Sequence, residues 1–356
     1  MQTIHMRSVE QISCGVFDHL DDAGIDLAQH YANRLRLAEE YDRSGFYAYH
    51  LAEHHGSSHG LAPSPNLLLA AMAQRTTSLR LGPLVMILML YHPLRAFEEI
   101  CMLDQISGGR VELGTGRGAI PAELGFYGVD PEHLEDRYKE ASDILRKAMS
   151  GGTLDFHGDY FNLTDVPIVL STLQRPHPPL WYGTNHPDAA RKAAENRMNV
   201  VSYGRAAAIR AVTDQRRKFW ADVAMPENAQ PKRVMVRQIV VAPTSHEACA
   251  LAKPAYERWY HALNELRDHA GMPHPPSIPS SFDETLDLGL CFAGPAADIR
   301  NAVLQQVAEA GVNYILWQVA FGNLPVEASL RTAAAITAEI MPAVGKIPSS
   351  PAFGSA

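Results

Sequence analysis

Short apolar runs alternate with segments of helical periodicity along almost the whole chain, and this alternation limits the possible folds more than any other feature. It is typical of a parallel sheet whose strands are joined by crossover helices. Two of the helical segments are residues 27–44 and 93–106, where apolar side chains recur every three or four positions. The predicted strands are residues 12–17, 46–49, 79–88, 110–113, 180–183, 199–203, 234–241 and 313–319.

Eight strand–helix units without a break in composition predict one closed α/β barrel, a (β/α)₈ TIM barrel spanning residues 1–345. An open, doubly wound sheet is the alternative. Residues 153–163 read as an inserted hairpin. Residues 271–290, rich in proline and serine, are predicted to be neither helix nor strand and to form a loop over the active site. Residues 346–356 are expected to be a flexible tail.

Charge and composition narrow the function classes. The 356 residues carry 31 Lys and Arg against 39 Asp and Glu, a net charge of -8, which argues against nucleic-acid and anionic-membrane partners. Residues 83–90, the longest apolar run, are far shorter than the roughly 20 residues of a membrane helix. The four cysteines are scattered without a C-x-x-C pair, so we expect a reduced, cytoplasmic protein that acts on small molecules.

Polar residues follow several of the predicted strands, where barrel enzymes carry their reactive groups. Glycines flank Arg117 in the run 114–118 and would let backbone N–H groups approach an anion, while Arg117 adds a planar fork of donors. Thr184 and Asn185 precede a helix, whose start would complete a phosphate site. Alternatively, residues 114–118 are only a glycine-rich segment at the end of a strand, and Arg117 is a solvated arginine that binds no phosphate.

Four histidines lie within ten residues and raise the question of a metal site: His50, His54, His55 and His59. The first predicted strand lacks the H-x-H pair that metal-binding barrel hydrolases commonly carry, so we predict no metal. These histidines could instead only cap and hydrogen-bond a loop. His54, nearest the strand end, is the best candidate for a functional histidine because it can exchange a proton near neutral pH.

Several blocks resemble bacterial luciferase-like flavin-dependent monooxygenases. They include the Glu-His-His-Gly run at 53–56, the Leu-Asp-Gln-Ile-Ser-Gly-Gly-Arg run at 103–110 and the Gly-x-Gly-Arg-Gly run at 114–118, in matching order and spacing. The resemblance implies a (β/α)₈ barrel that takes reduced FMN from a separate NAD(P)H flavin reductase. It also implies that a C4a-hydroperoxide formed with O₂ oxygenates a small organic substrate. The loops at 119–127 and 272–290 are expected to define that substrate, and their apolar content suggests a hydrophobic molecule.

The resemblance also implies roles for individual residues. His54 matches the catalytic histidine and Arg117 the arginine that binds the flavin phosphate, while Thr184 and Asn185 fall at the remaining phosphate position. Gly116 stands where luciferases can have a reactive cysteine. Leu84–Val85 matches a non-prolyl cis peptide beneath the flavin. The full set of expected flavin contacts is Leu84, Val85, Met86, Gly116, Arg117, Gly118, Thr184, Asn185 and Trp317, with barrel core as the alternative for Met86 and Trp317.

Two other functions stay open. One is a deazaflavin-dependent oxidoreductase that transfers hydride and does not activate oxygen, and the other is a flavin-binding protein without turnover. The apolar helices at 65–74 and 93–106 match the family's dimer surface, so we expect a homodimer.

Overall fold

The computed structural model describes residues 12–345, and within them ten parallel strands form one sheet that is curled into a nearly closed barrel. A separate antiparallel hairpin lies outside it. The barrel strands are Ser13–Asp18 (β1), Ala48–Leu51 (β2), Arg80–Pro83 (β3), Met86–Ile87 (β4), Leu113–Gly116 (β5), Leu180–Gly183 (β8), Asn199–Ser202 (β9), Arg233–Val241 (β10), Cys291–Gly294 (β11) and Tyr314–Gln318 (β12); the hairpin strands are Gly152–His157 (β6) and Asn162–Ile168 (β7).

The strand order shows how the barrel closes. The strands run β3-β2-β1-β12-β10-β9-β8-β5-β4, and β11 pairs with the second half of β10. β4 continues β3 after only Leu84 and Val85, and a parallel bridge joins Leu81 to Val111, so the two ends of the sheet meet. With β3 and β4 taken as one interrupted strand, nine parallel strands surround the barrel. The predicted barrel is confirmed, and the open sheet is excluded.

Three strands differ from their predictions. The single strand expected at 79–88 is interrupted between β3 and β4 and ends in the 3₁₀ turn Leu88–Leu90. The strand expected at 110–113 lies three residues later, in β5, where the two glycines allow close packing: a Cβ on Gly114 would lie 2.5 Å from the carbonyl oxygen of Pro83. β11 was missed as a strand because it is only four residues long and contains alanine and glycine, which favour strands weakly.

Twelve α-helices are described within residues 12–345, most of them crossovers. The helix predicted at 93–106 is confirmed, and it starts at Pro93 because His92 caps it through Nδ1, which accepts from Leu94 N–H. The helices are Leu27–Arg43 (α1), Pro65–Ala73 (α2), Pro93–Ile106 (α3), Pro121–Phe126 (α4), Leu134–Met149 (α5), Pro187–Glu195 (α6), Ala206–Asp222 (α7), Ser245–His269 (α8), Phe282–Asp287 (α9), Ala296–Ala310 (α10), Val326–Ala335 (α11) and Met341–Val344 (α12).

The two predicted insertions are present in altered form. The hairpin of β6 and β7 extends beyond the expected residues 153–163. The segment 271–290 contains the short helix α9, so the expectation of no helix there is wrong: Ser281 caps α9 by accepting from Glu284 N–H, and the Phe282 side chain is buried. The tail predicted at 346–356 lies outside the described residues.

Apolar side chains fill two layers. One lies between the sheet and the helices, and the other lies inside the barrel, where Leu84, Trp181, Val234, Tyr314 and Leu316 pack together. Because both faces of the strands are covered, most strand residues are buried rather than alternating. No helix within residues 12–345 has both the length and the apolarity to span a bilayer. Because the barrel interior is filled with apolar side chains, the polar side chains that could carry a function are expected at the carboxyl ends of the strands.

Candidate active site

His54 lies three residues beyond β2 and is held by a buried carboxylate. Its Nδ1 lies 2.9 Å from Oε1 of Glu123, a residue of α4. The Glu123 side chain is almost fully buried, whereas that of His54 is 16% exposed. The same carboxylate oxygen accepts the backbone N–H of His55 at 3.1 Å. Since Nδ1 is taken by Glu123, Nε2 is the His54 atom left for chemistry at the barrel mouth.

The neighbouring Glu53 and His55 serve to position the loop. His55 Nε2 donates to Glu53 Oε1 at 2.8 Å, and the Tyr127 hydroxyl lies 2.8 Å from His55 Nδ1. Glu53 also accepts the Ile87 N–H of β4 at 2.8 Å and the Tyr91 hydroxyl at 3.2 Å. Both ring nitrogens of His55 are thus engaged inside the protein. The Glu-His-His run therefore combines two buried anchors with one histidine that reaches the mouth.

Three histidines converge beside this loop. The ring centroids of His19 and His59 lie 4.2 Å apart, those of His54 and His59 4.8 Å, and those of His19 and His54 5.8 Å. Burial, with the nearby His54, lowers the pKa of His19 to about 3. Burial and the adjacent His19, His54 and Arg267 hold the pKa of His59 well below its usual value. His19 and His59 are therefore neutral at neutral pH.

The predicted phosphate residues lie at the ends of neighbouring strands. β5 and β8 pair in parallel with Gly114 opposite Trp181. Arg117 directly follows β5, and Thr184 directly follows β8. Arg117 is exposed, and its guanidinium contacts Glu135 at 2.7 Å. The Asn185 side chain accepts the backbone N–H of Tyr203 at 2.9 Å. The structure thus places Arg117 and Thr184 at one edge of the barrel mouth.

The Leu84–Val85 step also matches the expectation. This non-prolyl peptide bond is cis. Gly116 packs directly against it: a Cβ at position 116 would lie 2.5 Å from Cγ2 of Val85. Gly118 has a φ of +89°, a conformation that glycine adopts without steric cost. The chain from β5 to Gly118 therefore has no room for a cysteine side chain at position 116 unless Val85 moves.

Met86 and Trp317 lie elsewhere. Both side chains are fully buried in the layer between the sheet and the helices, where Trp317 approaches Phe292 with ring centroids 6.4 Å apart. Along β12, Tyr314 and Leu316 face the barrel interior, and successive side chains of a strand alternate in direction. Trp317 therefore points away from the mouth. Met86 and Trp317 belong to the core, which is the alternative that their apolar character left open.

A family model for luciferase-like monooxygenases matches residues 13–314. The chain belongs to the luciferase-like monooxygenase family. The relative y4wF of Sinorhizobium fredii is 52% identical over 345 residues, which is 96% of this chain and all of that protein. The 4-hydroxyprotoasukamycin monooxygenase of Streptomyces nodosus subsp. asukaensis is 34% identical over 164 residues, or 46% of this chain and 44% of that enzyme. Less than half of that enzyme is therefore matched.

Solved structures of luciferase-like fold share the architecture at low identity. The monooxygenase RslO1 of Streptomyces bottropensis has a TM-score of 0.84 at 24% identity, covering 93% of this chain and 99% of that one. The oxygenating constituent of 3,6-diketocamphane monooxygenase from Pseudomonas putida, solved with FMN, has a TM-score of 0.74 at 19% identity, with 95% and 100% covered. An F420-dependent secondary alcohol dehydrogenase has a TM-score of 0.73 at 18% identity, with 94% and 99% covered.

Sequence reasoning missed two residues that stand out in this luciferase-like site. Glu123 is 69 positions from His54, and no local pattern links them. His19 could have been found, because it directly follows β1 and the rule that reactive groups follow barrel strands applies to the first strand as well. The loop at 119–127 forms α4 and brings Glu123 and Tyr127 to the two loop histidines, while its role toward a substrate stays a prediction.

Proposed function

We propose that this luciferase-like monooxygenase is a two-component enzyme of the cytoplasm. It takes reduced FMN from a separate NAD(P)H flavin reductase and uses O₂ to oxygenate a small, apolar organic molecule. The observation that carries the proposal is the position of Arg117 and Thr184 directly after the paired strands β5 and β8.

The phosphate end of the flavin fits this edge. Arg117 is paired only with Glu135 among the described residues, and both side chains are largely exposed, at 45% and 72%. Such a pair contributes little free energy, so the guanidinium can turn to a phosphate. α6 begins at Pro187, three residues after Thr184, and its N-cap residue His186 makes no side-chain capping bond. The backbone N–H groups of that first turn are the kind of donors that bind phosphate in proteins.

The ring end fits the surface made by Gly116 and the Leu84–Val85 step. Gly114 and Gly116 let the Leu84–Val85 step pack closely against β5, and the Val85 side chain stays partly exposed, so a flat aromatic system can lie against it. The bound reduced flavin would supply the electrons that activate O₂.

His54 is the residue that we assign to proton transfer. Glu123 fixes its ring through Nδ1, which leaves Nε2 to hold or move a proton at the mouth. The carboxylate thus has the orienting role that an acid has beside a catalytic histidine in hydrolases.

We propose that α4 and the segment 271–290 enclose the substrate side of the mouth. The phenol oxygen of Tyr260 in α8 lies 2.9 Å from Nδ1 of His274, which ties that segment to α8. Phe282 packs in one apolar cluster with Tyr256 and Trp259 of the same helix. We assign an apolar substrate because such a site excludes water and offers mainly hydrophobic contacts.

Oxygen uptake tests the proposal against its two alternatives. Purified protein is combined with a flavin reductase, NADH and FMN, and uptake is recorded with and without a panel of small apolar ketones and alkenes. Free reduced FMN also consumes O₂, so the expected decisive signal is a product one oxygen atom heavier that depends on both the protein and one class of compound.

The alternatives give different results. A hydride-transferring enzyme, which the F420-dependent structural relative favours, would oxidise reduced deazaflavin anaerobically and leave O₂ uptake unchanged. A flavin-binding protein without turnover would bind FMN and change neither signal. Either result would overturn the proposal.

A further inference from the structure

We propose that His19, His54 and His59 bind one divalent transition-metal ion. The three residues come from separate segments: His19 follows β1, His54 follows β2, and His59 lies in the loop that leads to α2. One ring nitrogen from each lies within 4.8 Å of the others.

His59 is the strongest single observation. Its side chain is 1% exposed, and neither of its ring nitrogens has a hydrogen-bond partner among residues 12–345. A buried polar group without a partner costs free energy, so such a group usually has a ligand or water that satisfies it. The rings of His19 and His54 are its nearest aromatic neighbours, at 4.2 and 4.8 Å between centroids. A cation held among the three rings would satisfy His59.

The outer contacts resemble those of metal-binding histidines, whose second nitrogen is usually hydrogen-bonded to a carboxylate or carbonyl oxygen. Nδ1 of His54 meets the Glu123 carboxylate at 2.9 Å. Nδ1 of His19 lies 3.1 Å from the amide nitrogen Nε2 of Gln318, and the amide oxygen of Gln318 has no partner among the described residues. With that amide turned so that its oxygen accepts from Nδ1–H, Nε2 of His19 carries the free lone pair.

The ligand set selects the class of ion. Three imidazoles suit Zn²⁺, Co²⁺, Ni²⁺ or Cu²⁺ and not Mg²⁺ or Ca²⁺, which prefer oxygen ligands. Zn–N bonds are about 2.0–2.1 Å, so nitrogens on one ion are at most about 4.2 Å apart, and at least one ring turns inward on binding. His19 and His54 are partly exposed, so the fourth position opens to the mouth. A water or a substrate oxygen could occupy it.

The charges nearby are balanced. Arg267 is an electrostatic neighbour of His59, and Glu123 is in turn an electrostatic neighbour of Arg267. The aromatic side chains of Phe17 and Trp259 enclose the site, with ring centroids 4.7 and 6.2 Å from that of His19. An apolar shell of this kind limits competition by water for the ion.

This inference departs from the expectation of no metal, which weighed His50, His54, His55 and His59 without His19. The fold separates these residues: His50 lies inside the barrel against Trp181, and His55 is bonded to Glu53 and Tyr127. The site shares Nε2 of His54 with the proposed oxygenation, and an ion bound there would prevent proton transfer, so the two uses of His54 exclude each other at any one time. Its test uses no flavin and no substrate, so failure of either proposal is distinguishable from failure of the other.

Metal binding can be measured on the full chain. Protein freed of metal with EDTA is titrated with Zn²⁺ by equilibrium dialysis, and with Co²⁺ by visible absorption. We expect one Zn²⁺ per chain and the intense visible bands of a four-coordinate Co²⁺ site. Zn²⁺ should also raise the Tm, because a ligand of the folded state stabilises it. The protein is used at micromolar concentration and Zn²⁺ at a tenfold excess over it. Absence of bound Zn²⁺ under these conditions would overturn the proposal.

Variants locate the site. His19→Gln and His59→Gln should each lose the stoichiometric Zn²⁺, and Glu123→Gln should weaken Zn²⁺ binding by about 10- to 100-fold. His261→Gln, an exposed histidine of α8, is the matched control and should bind Zn²⁺ like the parent. Circular dichroism verifies that each variant is folded. Undiminished binding in folded His19→Gln and His59→Gln would place the ion on surface histidines and overturn the proposal.

Discussion

His54 and His55 are adjacent in the chain, but only one of them is available for chemistry. The His55 ring is bonded on both sides, to Glu53 and Tyr127, whereas His54 is bonded on one side, to Glu123. A side chain held at one nitrogen and open at the other is pre-oriented for proton transfer. At the residue scale, the function of the loop therefore depends on which hydrogen bonds the fold completes.

The first prediction concerns His54. His54→Ala should leave FMN binding nearly unchanged and lower coupled oxygenation by about 10²- to 10⁴-fold, the usual contribution of general acid–base catalysis. Product formation and flavin titration give the two quantities. His261→Ala, in the exposed part of α8, should match the parent in both. Parental turnover by a folded His54→Ala would show that the histidine is structural.

The second prediction concerns Arg117. A charge-assisted bond to phosphate contributes about 1.5–3 kcal/mol, so Arg117→Met should weaken FMN binding by roughly 10- to 100-fold. Riboflavin lacks the phosphate, and its affinity should change little. Anaerobic titration of both reduced flavins measures this. Arg146→Met, which removes an equally exposed arginine of α5, is the control. Equal losses for both flavins would mean that Arg117 does not bind the phosphate.

At the element scale, the carboxylate of Asp42 in α1 binds the loop between α2 and β3. Asp42 accepts the backbone N–H groups of Thr77, Ser78 and Leu79 at 2.6–2.8 Å, together with two hydroxyl groups. Partial burial alone would raise the pKa of Asp42, but these hydrogen bonds outweigh it and hold the pKa well below its usual value. The ionised carboxylate therefore stabilises the entry to β3.

The third prediction follows from that contact. Asp42→Asn should lower the free energy of unfolding at pH 7 by about 1.5–3 kcal/mol, because hydrogen bonds to a charged group are replaced by weaker ones. A depressed pKa stabilises the protein above the unfolded-state pKa of about 4, and this stabilisation is lost as the pH falls through the folded-state pKa. The difference between parent and variant should therefore shrink in acid.

Urea unfolding at several pH values measures this difference. Asp222→Asn, at the exposed end of α7, should change the free energy of unfolding by less than about 0.5 kcal/mol. A difference between the parent and Asp42→Asn that is constant with pH would contradict the role of the ionised carboxylate.

At the scale of the whole molecule, α2 and α3 lie side by side and expose apolar side chains. Leu67 is 76% exposed, Met102 54% and Ile106 44%. Exposed apolar groups on adjacent helices are common at interfaces between protein subunits. We propose that this surface, which we call the α2–α3 face, joins two copies of the chain.

The fourth prediction is a homodimer that depends on the α2–α3 face. Sedimentation at micromolar concentration should give twice the chain mass of 39.1 kDa. The double variant Leu67→Glu, Met102→Glu should give the mass of one chain, because it buries charge in the interface. Val223→Glu alters an apolar residue that is 50% exposed outside this face and should stay dimeric. A single-chain mass for the parent would contradict the prediction.

The sequence by itself determined the barrel and the position of its mouth. Strand and helix periods are local properties, so the alternation predicted the fold, and the residues that follow the strands pointed to His54, Arg117 and Thr184. The prediction of the cis bond at Leu84–Val85 came from the family resemblance, since no local pattern predicts such a bond, and the structure confirms it.

Only the tertiary structure decided which side chains meet. The Glu123 carboxylate reaches His54 across 69 positions, and His19 joins His54 and His59 because β1 and β2 are neighbours in the barrel. Trp317 faces the helices because strand pairing sets the direction of every second side chain. Such contacts depend on strand register and on how loops fold back, and residues near in space but distant in the chain leave no periodic pattern in the sequence.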